Sequence, residues 1–220
     1  TYLELHDLVA RLAYSMRKMG IKKNDRVAGF MPNIPETIIA MLATASIGAI
    51  WSSCSQDFGI KGVLDRFSQI EPKLIFTTLG YVYNGKEINC IEKINDILSD
   101  LISVEKTIII PYKGNMNSAS INNSIVWEDF LSNDVKNIKY EHVPFNHPLY
   151  IMYSSGTTGL PKSIVHSVGG TLIQHLKELK LHVDLRKEDK IFYFTTCGWM
   201  MWNWLVSSLS IGSTVILYDG

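Results

Sequence analysis

The sequence predicts an α/β fold in which mostly parallel sheets are covered by helices. Three observations carry that expectation. Short continuous apolar runs such as Ala49–Ser53 and Lys106–Ile110 recur along the chain, and strands buried on both faces read this way. Segments of helical period separate them. The 220 residues are 46% apolar and 19% charged, which suits a sizeable core and excludes a disordered or collagen-like chain.

The first helix opens at Thr1-Tyr2-Leu3-Glu4, a capping box. Leu5, Leu8, Val9, Leu12, Ala13 and Met16 then share one face, and Gly20 is a natural stop. A strand follows at about Arg26–Phe30. Pro35 suits the first turn of a second helix, which runs to about Gly48 and is apolar on most sides. Beyond it the pattern predicts a strand at Ala49–Ser53, a helix at Ile60–Ile70 and a strand at Lys73–Thr77. A helix at Ile91–Ile102 and a strand at Lys106–Ile110 complete this run.

Between Pro111 and Pro148 the alternation breaks. Asn115–Ser124 is rich in Asn and Ser and has no period. A long connection of that kind marks a surface excursion, so residues 111–148 are read as a subdomain joint with a short helix near Trp127–Leu131. The order resumes with strands at Leu149–Tyr153 and Ser163–Ser167, then a helix carrying Leu172, Ile173, Leu176 and Leu179. A strand at Lys190–Thr195, a helix at Trp202–Ile211 and a strand at Thr214–Leu217 close the chain.

Lys plus Arg and Asp plus Glu number 21 each. The zero net charge argues against long-range attraction of nucleic acid or an anionic membrane. Ile191–Tyr218 has no charge, yet its Ser, Thr, Gly and Asn content reads as strand, turn, helix and strand rather than a membrane span. Cys54, Cys90 and Cys197 are scattered. That spacing suggests no zinc site or disulfide framework and fits a reducing, cytoplasmic setting.

The strongest chemical signal is Ser154-Ser155-Gly156-Thr157-Thr158-Gly159-Leu160-Pro161-Lys162. Glycines let backbone N–H groups approach a ligand, hydroxyls add donors, and Lys162 adds a cation. Together these suit polyphosphate oxygens. From Gly156 the spacing mimics a Walker A loop, but Pro161 stands at the second glycine and removes a donor. Ile164-Val165 also favour a strand, where a P-loop NTPase needs a helix. A non-catalytic folded module with a Ser/Thr/Gly surface turn is the plainer alternative.

This segment resembles the phosphate-binding signature of the adenylate-forming superfamily of acyl-CoA synthetases, luciferases and peptide-synthetase adenylation domains. Within it, Cys54–Gly59, Ile164–Ser167 with Gly169–His175, and Thr195-Thr196-Cys197-Gly198-Trp199-Met200-Met201-Trp202-Asn203-Trp204 resemble the acetoacetate-activating branch. The acetyl- and propionyl-CoA synthetases are the alternative branch. The resemblance covers residues 1–220 and implies a partial AMP-binding large domain, truncated at both ends. Motifs for adenine, ribose and metal, and a small domain with the adenylation lysine, would then lie beyond Gly220, so that this fragment alone is inactive.

The resemblance further implies ATP, Mg²⁺ and CoA as cofactors and substrates, with acetoacetate as the acid, in ketone-body and lipid metabolism. It assigns Ser154, Ser155, Gly156, Thr157, Thr158, Gly159 and Lys162 to the ATP phosphates. Trp199, Met200 and Met201 would line the acyl pocket and thiol tunnel, where Met and Trp make a soft apolar wall. Lys86, just after Tyr83-Asn84-Gly85, is a weaker candidate for CoA. No metal ligands are assigned. His166 and His175 read as packed or surface residues rather than acid–base groups.

Overall fold

The computed structural model describes residues 1–112, 121–135, 137–154 and 159–219. The α/β expectation holds. Helix α1 (Tyr2–Met19) begins at the capping box: Thr1 Oγ1 accepts from the Glu4 amide at 3.3 Å, and the Thr1 amine donates back to Glu4 Oε2 at 2.6 Å. It ends at Gly20, whose φ of 107° is left-handed. Strand β1 (Arg26–Phe30) and helix α2 (Pro35–Ile47) follow, with Pro35 in the first turn. Most of α2 is buried, as a sequence apolar on most sides requires.

Next come β2 (Ile50–Cys54), α3 (Ile60–Phe67), β3 (Leu74–Thr78), β4 (Gly80–Tyr83), β5 (Lys86–Asn89), α4 (Ile91–Asp100) and β6 (Lys106–Ile110). Beyond these lie β7 (Ser124–Val126), α5 (Trp127–Phe130), β8 (Pro148–Ser154), β9 (Lys162–Ser167) and α6 (Val168–Lys177). The last are β10 (Lys190–Phe192), α7 (Met200–Ser207) and β11 (Thr214–Ile216). The main sheet has the order β7-β6-β3-β1-β2-β8-β9. Its pairings are parallel except β8 with β9, which form an antiparallel hairpin.

Alternation along the strands divides the core between two faces. Val27, Trp51, Phe76, Ile108, Tyr150 and Met152 pack with α1, α2 and Trp202 of α7. Ala28, Phe30, Ile75, Ile109 and Ile151 pack with Val63 and Phe67 of α3 and Ile94 and Ile97 of α4. A third cluster of Leu179, Leu185, Ile191 and Leu205 lies beneath the two-stranded parallel pair β10–β11.

One hairpin was not expected: Tyr83-Asn84-Gly85-Lys86 is the turn between β4 and β5, with Asn84 and Gly85 at φ of 50° and 72°. Three expectations are corrected. Residues 124–126 form edge strand β7 of the main sheet, within the stretch read as irregular. The strand expected at Lys190–Thr195 stops at Phe192, because its partner β11 pairs over three residues only. The last expected helix begins earlier, at Met200, and closes with a 3₁₀ turn over Ser208–Ile211.

Candidate functional site

Parallel pairing places the carboxyl ends of β1, β2, β3, β6 and β8 along one edge of the sheet. Ligands of open α/β sheets bind outside such edges. The Ser/Thr/Gly loop leaves this edge at Ser154 and returns as β9, with Lys162 directly opposite Ser154. A strand therefore follows Lys162, as Ile164-Val165 predict, and the Walker A reading is excluded. Ser155, Gly156, Thr157 and Thr158 lie outside the described residues.

Gly159 has φ of 103°, a conformation open to glycine and strained for other residues. Lys162 is exposed and makes no side-chain hydrogen bond or ion pair among the described residues. Register settles which way it points. Tyr150 pairs with His166, Met152 with Ile164 and Ser154 with Lys162. These pairs share one face, and Met152 on that face accepts a contact from Asn203 Nδ2 of α7 at 3.1 Å. Lys162 and α7 thus belong to the same side of β8.

The approach to α7 is held against the same sheet edge. Ser53 donates to the Cys197 carbonyl at 2.6 Å, and the Cys197 thiol donates to the Met31 carbonyl at 2.9 Å. Gly198 lies against the end of β2, where a Cβ would be in ordinary van der Waals contact, 3.4 Å from the Ser55 amide nitrogen. Asn33 Oδ1 accepts from Trp202 Nε1 at 2.8 Å, and its Nδ2 donates to the carbonyls of Tyr218 and Thr195. Trp202 is 0% exposed and is core. Trp199, the N-cap of α7, is 62% exposed, and Met200 is 37% exposed. Met201 is half-buried. These exposures leave Trp199 and Met200 free to line a pocket.

Lys86 is exposed at the start of β5, on the hairpin beyond β3. His175 is buried, and its Nδ1 lies 2.7 Å from Ser207 Oγ. Burial lowers its pKa, with a further push from His166. Glu178 opposes this through its charge, less strongly than burial, and among the described residues neither histidine hydrogen-bonds a carboxylate. Among the described residues no group of three or more His, Cys, Asp or Glu could hold a metal ion. No helix among them is long and apolar enough to cross a membrane.

Sequence reasoning missed two contributors to the loop's surroundings, Gln69 and Arg66. Arg66 lies in the last turn of α3 and Gln69 just after it, far from the loop in sequence, and no local motif marks them.

A family model described as AMP-binding enzyme matches residues 1–220. The chain belongs to the AMP-binding enzyme family. Two curated members of this family are similar to it over 100% of its length: the acetoacetyl-CoA synthetase of Gallus gallus is 55% identical, and the acetoacetyl-coenzyme A synthetase of Rhizobium meliloti is 53% identical. The chain spans 34% of each of these relatives, about a third of their length. The solved structure of acetoacetyl-CoA synthetase from Streptomyces lividans superposes with a TM-score of 0.95 at 47% identity. That match covers 100% of this chain and 33% of the other. Over the matched region that structure shares the mixed α/β architecture with a mostly parallel sheet described above.

Proposed function

We propose that the chain is the phosphate-loop part of a cytoplasmic AMP-forming acid–CoA ligase whose acid is acetoacetate. The carrying observation is the β8–β9 register, which sets Ser154 and Lys162 opposite each other on the face that α7 contacts. A phosphate-gripping loop and an apolar wall then belong to one site. The choice of acid is supported by the curated relatives named acetoacetyl-CoA synthetase.

In this reading an acetoacetate oxygen attacks the α-phosphorus of ATP and pyrophosphate departs. The CoA thiol then attacks the acyl carbonyl of the adenylate, and AMP leaves. Ser154, Ser155, Gly156, Thr157, Thr158 and Gly159 supply donors to the β- and γ-phosphates, and Lys162 supplies a point charge where negative charge develops. Trp199, Met200 and Met201 wall the acyl group and the thiol approach. Lys86 is assigned to the CoA nucleotide. Mg²⁺ bound to the ATP phosphates would offset the charge of the departing pyrophosphate, and no residue of this chain is assigned to hold it.

The test is pyrophosphate release by the full-length enzyme with acetoacetate, acetate and propionate, together with ATP–pyrophosphate exchange in Lys162→Ala. Preference for acetoacetate and a loss of about 10²-fold in exchange are expected, the loss in line with removal of one electrostatic group. Equal use of acetate or propionate overturns the choice of acid. Undiminished exchange in Lys162→Ala overturns the phosphate assignment.

A further inference from the structure

Helix α3 and the residues just after it touch both limbs of the β8–β9 hairpin. On the outgoing limb, Gln69 Nε2 donates to the Pro161 carbonyl at 2.9 Å, and Gln69 Oε1 accepts from Ser163 Oγ at 2.8 Å. The second N–H of the same amide is taken by the Asp65 carbonyl. Both amide hydrogens and the amide oxygen are therefore engaged, and the orientation is unique: a flipped amide would set its oxygen against two carbonyl oxygens. The two loop contacts fall on the residues immediately before and after Lys162. On the incoming limb, the Arg66 guanidinium lies 4.8 Å from the centre of the Phe58 ring and 5.7 Å from that of Tyr153, next to Ser154.

Strand alternation gives these contacts a direction. Tyr153 and Ser163 are paired on the α3 face, and Ser154 and Lys162 are paired on the opposite face. Gln69 thus holds the backbone from behind while the Lys162 side chain projects to the front. We propose that Gln69 is a positioning residue for Lys162. It confines the Pro161–Ser163 backbone so that the ammonium group meets the polyphosphate without first being ordered. This inference rests on the phosphate reading above. Pre-organisation of a charged group lowers the ordering cost of binding and of reaching the transition state. Gln69 is exposed, so its hydrogen bonds contribute little to global stability and their loss should be read in kinetics.

The experiment uses the full-length enzyme with Gln69→Met, which keeps the length without the hydrogen bonds, and Gln69→Glu, which opposes an oxygen to the Pro161 carbonyl. ATP–pyrophosphate exchange gives KM for ATP and kcat separately. Thiol transfer from preformed acyl-adenylate and the thermal midpoint serve as controls. Gln69→Met should raise KM for ATP or lower kcat so that kcat/KM falls about five- to tenfold, the size expected for two lost hydrogen bonds. Gln69→Glu should do more, and neither should alter thiol transfer or the midpoint. In a Lys162→Ala background, Gln69→Met should add no further loss.

Unchanged exchange in Gln69→Met, when Lys162→Ala is impaired, overturns the positioning role and leaves the phosphate reading standing. An undiminished loss in the Lys162→Ala background, or a loss that tracks a fallen midpoint, also overturns it, because Gln69 would then act on something other than Lys162. Intact exchange in Lys162→Ala itself removes the phosphate reading and this inference with it.

Discussion

Asn33 is 4% exposed, and its amide joins the end of β1 to the approach and body of α7. Replacing it with Ala leaves the Trp202 Nε1–H buried without its acceptor. An orphaned buried donor costs about 1–3 kcal/mol. Asn33→Ala should therefore lower the unfolding midpoint of the full-length enzyme and weaken use of the acid, since Trp199 and Met200 follow from the segment Asn33 holds. Thermal melts with KM for the acid check this, and an unchanged midpoint contradicts it. His175 contributes a pH dependence. Burial holds its folded pKa below the ordinary imidazole value of about 6.5, so the fold prefers the neutral ring. Stability is full above the unfolded value and falls as pH drops below about 6.5 toward the folded value. Denaturant midpoints from pH 7.5 to 5 should decline, and His175→Gln should flatten that decline. Burial pushes the Cys54 thiol up to about 12, so it stays protonated and unreactive near neutral pH.

Between elements, the Trp51 indole of β2 lies over Gly29 of β1, where a Cβ would sit 2.6 Å from Trp51 Cη2. Trp51 is itself wedged against Phe76, with ring centres 6.4 Å apart. Gly29→Ala must displace a large buried ring, and such overpacking costs about 1–3 kcal/mol. The variant should unfold earlier in urea. Adding Trp51→Phe, which makes room, should recover part of the loss, and strict additivity would show that the two side chains do not compete for space. The same elements show what could be read from sequence. The α1 capping box, Pro35 and the buried parallel strands follow from local chemistry, and each lies within a few residues of its expected bounds. The β4–β5 hairpin carried its signal in Asn84-Gly85, a pair that favours positive φ at both central turn positions. Edge strand β7 carried none, because three residues beside an Asn/Ser tract have no period to detect. The loop was legible because its glycines and hydroxyls are contiguous. Gln69 and Asn33 were not, because their partners at β9 and around α7 lie 92–185 residues away and contact at that range is decided by topology.

Across the whole molecule, the apolar surface is unevenly finished. Both strands of the β10–β11 pair expose large side chains: Phe192 with the following Phe194, and Ile216 with the following Tyr218. On β9 and α6, Ile164, Val165, Leu172 and Ile173 are exposed as well. Parallel strands are ordinarily covered on both faces, and a two-stranded sheet is marginal alone. The chain also spans only about a third of the curated relatives' length. We predict that the isolated 220-residue chain self-associates, binds a hydrophobic dye strongly and shows no ligase turnover, whereas a protein of the relatives' full length does none of the first two and turns over. Light scattering, dye fluorescence and pyrophosphate release measure these. A monomeric, dye-silent chain would mean that these side chains pack among themselves in solution. Acyl-adenylate formation by the chain alone would mean that its loop and α7 wall already complete the adenylating site, and the groups sought in the remaining two-thirds would be needed only for thiol transfer.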